Sequence, residues 1–369
     1  MNKAVKQFGT SVAGIFFASL TALAAGYTWT GGGDGSTWES PENWGKTAAG
    51  AYPKSTSDTA TFAANTTASV VISSDLALSA LNLNASTTVT LTGAGDGAVC
   101  VTPNNISWGN ASMNLTLDRI LLTRAGDCTL GTSSSITLRN GSDLYLNNFT
   151  AEKNNTISLS GQSHFRIADY KMKAGTTVTI DDSTMTARGQ CYVGSAAPGG
   201  GKMVFKGASP MLQVFGSNFK ASENKNTYTT DFDIDLEIPV GGFKVSPIQA
   251  VESTAFNSMS ACTMKYRFNV LPTSPALLAG TKLDQPILTA AGVAASQVAE
   301  PTDANVSLWY SKFDGDEPTK DSERKIMHLT LNPTAEVEQP RPVCDKTVLV
   351  DNVTTSVSRR EIKLSFEAG

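Results

Sequence analysis

The 369 residues predict an all-β protein, a right-handed three-sided parallel β-helix with an N-terminal cap and a β-rich C-terminal region, and three observations carry the prediction. Short segments of alternating apolar and polar residues recur at a constant interval of 21 residues. Gly, Asn and Asp turns separate them. Gly, Ser, Thr, Asn and Ala dominate the composition while charged residues make up only 17%, the profile of an extracellular all-β chain rather than of a helical enzyme.

The repeat is clearest in the middle of the chain. Leu115, Ile136, Ile157 and Val178 succeed one another every 21 residues, as do Leu117, Leu138, Leu159 and Ile180. Their segments, MNLTLD, SSITLR, NTISLS and TTVTID, have the period-two pattern of a half-buried strand. A second column runs through Cys128, Phe149, Tyr170 and Cys191, with Leu130, Ala151, Met172 and Val193 two positions on. Between the two lies a third short strand, Leu144/Leu146 and Phe165/Ile167, which extends to Met185/Ala187 with a shift of one residue. Three such strands make one coil of a three-sided stack, and stacking at about 4.8 Å pairs the backbones and piles like side chains inside.

Outside this block the intervals loosen. Val70/Ile72 and Val89/Leu91 continue the first column, with a short step from Val70 to Val89 and a long one from Val89 to Leu115. Val204 follows Val178 after another long step, with AAPGGG before Lys202 as an inserted loop. A stack must protect its open strand edges, and the Trp- and Gly-rich residues 25–65 are placed to cap the first coil. The predicted organisation is residues 1–24 as a signal peptide, 25–65 as the cap, 66–222 as the parallel β-helix and 223–369 as a β-rich C-terminal region. In that last region Phe232, Ile234, Leu236 and Ile238, then Met264, Tyr266, Phe268 and Val270, then Val306, Leu308 and Tyr310, and finally Ile362, Leu364 and Phe366 alternate. These fit either further coils or a separate β-sandwich. Residues 272–296 read as loops with one short helix.

Lys3 and Lys6 precede an apolar run over residues 12–23 that ends in Ala22, Leu23, Ala24, the layout of a secretory signal peptide. No run approaches the roughly 20 apolar residues that a membrane-spanning helix needs. Loss of those two lysines from 29 basic residues leaves 27 against 33 acidic ones, a net charge of about −6. An acidic surface argues against nucleic acid and anionic membranes as partners. Cys100, Cys128, Cys191, Cys262 and Cys344 contain no CxxC pair, so metal-ligand spacing is absent. Cys128 and Cys191 share a column three coils apart, about 14 Å by strand spacing, which is too far to bridge. Cys262 with Cys344 is the pairing an oxidising compartment would favour.

At the N-terminus, Trp29, Gly31, Gly32, Gly33, Asp34, Gly35, Trp38, Pro41, Asn43 and Trp44, then Pro53, Asp58, Ala60 and Phe62, form a motif. It resembles the opening of exported β-helix proteins that carry autotransporter-associated β-strand repeats, found in Gram-negative bacteria of the planctomycete and verrucomicrobial type. The resemblance is close from Tyr27 to Phe62 and implies an autotransporter-like passenger fold at the cell surface. The chain departs from autotransporters in ending at Gly369 with no aromatic-flanked strands of a membrane barrel.

β-Helix polysaccharide lyases and hydrolases share this architecture. A lyase needs carboxylates to hold Ca²⁺ and a basic group to take a proton, whereas a hydrolase needs paired carboxylates. The acidic and basic candidates on the repeat are Asp181, Asp182, Arg188, Arg166, Asp169 and His164. The register offers a plainer role. Asp118, Arg139, Ser160 and Asp181 share one column, so Asp118 and Arg139 pair between coils, and Asp143 stacks likewise on His164. Residues 31–35, GGGDG, suggest a calcium loop only in multiple copies; a single copy reads as a turn positioning Trp29 and Trp38. With only His164 and His328, and neither near a plausible nucleophile, Ser-His or Cys-His catalysis lacks its parts. The sequence therefore predicts no catalytic, cofactor-binding or metal-binding residues, and a secreted or cell-surface structural or adhesive protein that contacts glycans or matrix through its Thr-, Ser- and Asn-rich walls without turnover. The alternative is a lyase or hydrolase of acidic polysaccharide.

Overall fold

The computed structural model describes residues 25–46, 51–109, 111–124, 126–193, 201–216, 218–220, 231–250, 255–256, 265–332, 353–358 and 361–366. The signal-peptide segment 1–24, the AAPGGG loop up to Gly200, Met264, Cys262 and Cys344 lie outside the described residues. Among the described residues strands dominate, and the helical turns are Pro41–Asn43, Pro275–Leu278, Ala295–Gln297 and Asp321–Glu323. Among the described residues no helix is long and apolar enough to cross a membrane.

Between Thr59 and Val293 no strand pairs with its neighbour in the chain; the inner strands pair in parallel with an equivalent strand of an earlier and a later coil, the end strands of a wall with one, and Leu283–Thr289 is parallel to Ile248–Ala250 but antiparallel to Ile326–Leu331. Three sheets result. A nine-stranded wall runs from Thr67–Ile72 to Tyr266–Val270, a seven-stranded wall from Cys128–Leu130 to Gly292–Val293, and a fourteen-stranded wall takes in the strands between. The architecture is all-β with long parallel sheets and is compatible with a parallel β-helix. In the early coils a single long strand, Leu76–Leu83 or Val99–Trp108, lies in the fourteen-stranded wall, and Val99–Trp108 also touches Cys128–Leu130.

Side-chain alternation explains where the core sits. Ile136, Ile157 and Val178 are in Cα register and fully buried, as are Phe165 and Met185. Phe149 and Tyr170 stack with ring centroids 6.0 Å apart and planes 5° apart, as expected for one column. Phe149 also meets Phe165 of the fourteen-stranded wall edge-on at 5.2 Å, and Phe219 lies 5.6 Å from Tyr266 of the nine-stranded wall. The three inner faces thus share one apolar core, in which each buried aromatic contributes about 1.5–3 kcal/mol.

The corners have their own chemistry. Asn65, Ser86, Ser112, Ser133, Asn154 and Gly175 all have positive φ at equivalent places before the nine-stranded wall. Asn and Gly tolerate this left-handed bend best. Immediately after them, the Met113 N–H donates to Ser134 Oγ at 3.0 Å and the Ser134 N–H to Asn155 Oδ1 at 2.7 Å. Such side chains satisfy buried amides that the turn frees from the sheets.

Four expectations need correction. Val70 pairs with Leu91 and Ala68 with Val89, so the first step of that column has the regular length and is not short. A period-two pattern looks the same after a slip of two. Val178 pairs with Met203, which makes Met203 and Phe205 the inner residues and aligns Val204 with Thr179. Residues 272–296 hold the short helix Pro275–Leu278 but also the strands Leu283–Thr289 and Gly292–Val293, whose Pro286 and β-bulge disguise the alternation. The fourth correction, at His328, is described with the site.

At the start of the stack, Gly26–Trp29 pairs antiparallel with Trp44–Lys46 and parallel with Thr59–Phe62, while Thr37 bridges to Val71 of the nine-stranded wall. Trp38 and Trp44 lie 4.6 Å apart and both pack against Phe62. Their indole N–H groups donate to the Pro53 and Trp38 carbonyls. At the far end the fourteen-stranded wall turns antiparallel, Leu283–Thr289 pairing with Ile326–Leu331 and that strand with Val306–Ser311. A separate hairpin joins Val353–Ser358 to Glu361–Phe366.

Candidate functional site

Strand Phe232–Leu236 carries a row of acidic side chains on its wall. Period two sends Phe232, Ile234 and Leu236 into the core and leaves Asp231, Asp233, Asp235 and Glu237 on the outer face. Its parallel neighbours set Lys202 and Arg267 beside Asp233, and Val204 and Asn269 beside Asp235. Arg267 reaches Asp231 at 2.6 Å and Asp233 at 3.4 Å. Lys202 lies 3.4 Å from Asp235 and Lys206 3.0 Å from Glu237. The Asn269 amide donates to Asp233 at 3.2 Å and to Asp235 at 3.0 Å. Three carboxylates and an arginine therefore meet on one outer wall.

Chain length around this row also changes. In the regular coils four residues separate Leu130 from Ser135 and Ala151 from Thr156. Beside the charged row the same corner has eleven residues between Lys220 and Phe232 and nine between Phe256 and Tyr266. The opposite corner has eleven between Leu236 and Ile248 and twelve between Val270 and Leu283. Long connections are where scaffolds usually carry specificity.

The six candidates from the repeat are dispersed. Asp181 aligns with Lys206, and burial followed by the Asp182 charge raises its carboxyl above the usual range. Asp182 has positive φ and accepts the Ser209 N–H, a turn role. Asp169 accepts the Gln190 N–H at 2.6 Å. Arg166 pairs with Asp143 one coil earlier, and Arg188 lies over the Tyr145 ring at 4.9 Å while donating to its hydroxyl. His164 is in register with Asp143 but hydrogen-bonds Thr186 at 2.8 Å. The expected Asp118–Arg139 pair is present at 2.8 Å, whereas Ser160 contributes its carbonyl to Ser163.

Residues 31–35 are organised from within. Asn43 Oδ1 accepts the Gly33 and Gly35 N–H groups, and its amide donates to Asp34 and to the Thr37 carbonyl. Asp34 also accepts the Ser36 and Thr37 N–H groups, and the Thr37 side-chain hydrogen bond, followed by those from Ser36 and Asn43, holds its carboxyl far below the usual range. Cys100, Cys128 and Cys191 are free thiols, and Cys128 and Cys191 are buried in their column. Burial pushes the Cys191 thiol well up. Among the described residues no group of three or more His, Cys, Asp and Glu side chains is arranged to hold a metal ion.

His328 departs from its sequence reading. The antiparallel pairing of Val306–Ser311 with Ile326–Leu331 brings Ser311 Oγ to 2.9 Å from His328 Nε2. Burial holds the imidazole below its usual range, with the Asp284 charge opposing. The pair has the spacing of a base and its hydroxyl, yet Asp284 accepts from Trp309 Nε1 at 2.9 Å and Ser311 is only 4% exposed, so an incoming acyl group has no approach.

The charged row was present in the sequence as TDFDIDLE, with an acid at every second position from Asp231 to Glu237. That alternation is the signal by which it is found; the partners Lys202 and Arg267, one coil before and one coil after Asp233, need the register. No family model, curated protein or solved structure matches this chain.

Proposed function

We propose that the three sheets close into a right-handed three-sided parallel β-helix that serves as a secreted or cell-surface scaffold, structural or adhesive, contacting glycan or matrix without turnover. The handedness follows the general preference of parallel crossovers. The observation that carries the functional reading is where the outer charges go. Asp118 with Arg139, Asp143 with Arg166, Glu152 with Lys173, Asp235 with Lys202 and Glu237 with Lys206 each join one coil to the next. Side chains spent on one another fasten the stack; a catalytic acid or base must instead face a substrate. The export and the kinship to proteins with autotransporter-associated repeats belong to the same proposal. Incubation of the purified chain with a panel of neutral and acidic polysaccharides tests it: retention on a polymer without release of soluble sugar is the expected result, and catalytic release of product overturns it.

A second reading has its own observation. One Asn269 amide nitrogen lies 3.2 Å from Asp233 and 3.0 Å from Asp235, which holds the two carboxylates closer than the roughly 6.5–9.5 Å of inverting glycosidases and nearer the roughly 5–5.5 Å of retaining ones, with Arg267 beside them on the same wall. A lyase would release unsaturated uronides from polygalacturonate and a hydrolase would release reducing ends. Either activity, abolished by Asp235→Asn without loss of the folded state, replaces the scaffold by an enzyme.

A further inference from the structure

We propose that the outer face of the C-terminal antiparallel sheet is a stacking platform for a neutral saccharide, centred on Trp309; the inference rests on the glycan-contacting reading above and names its site. Inward, Met327, Leu329 and Leu331 of the middle strand are buried. Outward, two rows cross the three strands. Pro286, His328 and Trp309 form one, and Asp284, Thr330 and Ser307 the next.

Trp309 does not stand up from the sheet. Its ring lies flat on the His328 imidazole, with centroids 3.7 Å apart and planes 7° apart. Its Nε1 is anchored on Asp284 Oδ1 at 2.9 Å, and His328 is anchored in turn on Ser311 at 2.9 Å. One face of the indole is thereby covered by His328, and the side chain remains partly exposed. A held aromatic plate loses little conformational entropy when something settles on it. Trp38, Phe149, Tyr170 and Tyr266 are by contrast in the core, and the exposed Phe215 and Phe313 are outside this pair of rows.

The chemistry of the rim selects the ligand. The C–H face of a pyranose is weakly positive and meets the negative face of an indole. Asp284 is exposed and uses one hydrogen bond on Trp309, which leaves carboxylate acceptor sites for sugar hydroxyls; Ser307, also exposed, and Thr330 supply hydroxyls beside it. A carboxylate at the rim repels uronates and sulfated sugars, so the site takes a neutral chain. The charged row of the nine-stranded wall is a different surface and is not needed for this binding.

Titration of the full chain with hexasaccharides of glucose, xylose and mannose, with polygalacturonate as the anionic control, tests the platform. Binding to a neutral probe is expected, with Trp309 shielded from acrylamide quenching. Trp309→Ala should weaken that binding about tenfold or more at an unchanged melting temperature, and Trp309→Phe should retain part of it. Equal binding by the intact protein and W309A overturns the platform and leaves the glycan-contacting reading standing. Preference for polygalacturonate also overturns it, as does neutral binding that leaves Trp309 open to quencher. If the intact chain retains no glycan at all, both fall together.

Discussion

The regular coils and the longer coils that follow share one inner column yet differ in everything that joins it. In the nine-stranded wall the register advances from Asn114 to Ser135, Thr156 and Thr177 in equal steps; from Thr177 to Lys202, to Asp233 and to Arg267 each step is longer than the one before. The Cα register Cys128, Phe149, Tyr170, Cys191, Phe219, Phe256, Val293 crosses from one region to the other unbroken. Strand pairing and inner packing therefore define the stack, and coil length is set only by the corners. Where corners are tight, side chains such as Ser134 and Asn155 replace the missing backbone partners; where they are long, the chain has freedom to carry charge and loops.

Deleting one residue should separate the two regions by the largest margin. Removal of Ser133 from a four-residue corner shifts the following strand by one position and turns Ile136 and Leu138 outward. Loss of the cooperative thermal transition is expected. Removal of Gly241 from the eleven-residue connection after Leu236 should change stability by less than about 1 kcal/mol, because loop closure depends weakly on length. Comparable melting of both deletions would mean that the tight corners do not hold the register.

The next largest effect lies in the corner ladder. Asn155 is buried, accepts the Ser134 N–H and donates to the carbonyls of Leu130 and Glu152. Asn155→Ala leaves those groups without partners, at a cost of about 2–3 kcal/mol in denaturant titrations. In the later coils Ser274 plays a smaller part, exchanging hydrogen bonds with the Ile238 N–H and carbonyl, and Ser274→Ala should cost about 1–2 kcal/mol. An Asn155→Ala protein as stable as the parent would remove the ladder from the account.

These contrasts also explain what could be read from residues alone. The repeat was legible because every inner position of the regular coils must be apolar, so Ile136, Ile157 and Val178 recur visibly. Register at the edges was not, since Val70 and Ala68 both satisfy an alternating pattern and only Cα pairing with Leu91 and Val89 decides between them. Long strands such as Leu76–Leu83 were hidden by a break in their own alternation at Ser79 and Ala80. The charged row was half legible: its acids alternate along one strand, but Arg267 joins them only after a long further coil. Ser311 and His328 meet through an antiparallel return that no parallel repeat foretells.

A third contrast concerns ion pairs. Arg267 serves two carboxylates of one strand, whereas Arg139 serves Asp118 on the adjacent coil. Exposed pairs contribute about 0.2–1 kcal/mol each and are screened by salt. Arg267→Ala should cost about 1 kcal/mol at low ionic strength, and most of that difference should vanish in about 1 M salt. A loss that persists at high salt would point to packing of the arginine stem instead.

The smallest predicted effect compares the two histidines, one in each region. His164 in the regular coils is held below its usual range first by burial, with Asp143 opposing and Arg166 assisting; His328 in the terminal sheet is lowered by burial against Asp284. In both, the folded state resists a proton that the unfolded chain accepts at about pH 6.5. Unfolding therefore takes up protons as the pH falls below about 7, and stability declines on the acid side while remaining flat above it. Melting temperatures taken from about pH 8 down to about pH 5, above the range of ordinary carboxylates, should fall for the parent. His164→Gln and His328→Gln should each flatten part of that slope. At each site burial lowers the imidazole against an opposing aspartate, Asp143 at His164 and Asp284 at His328. An acid slope unchanged in the double variant would remove both histidines from the account; Asp181 would not explain it, because a carboxyl raised by burial in the folded state gains stability as the pH falls.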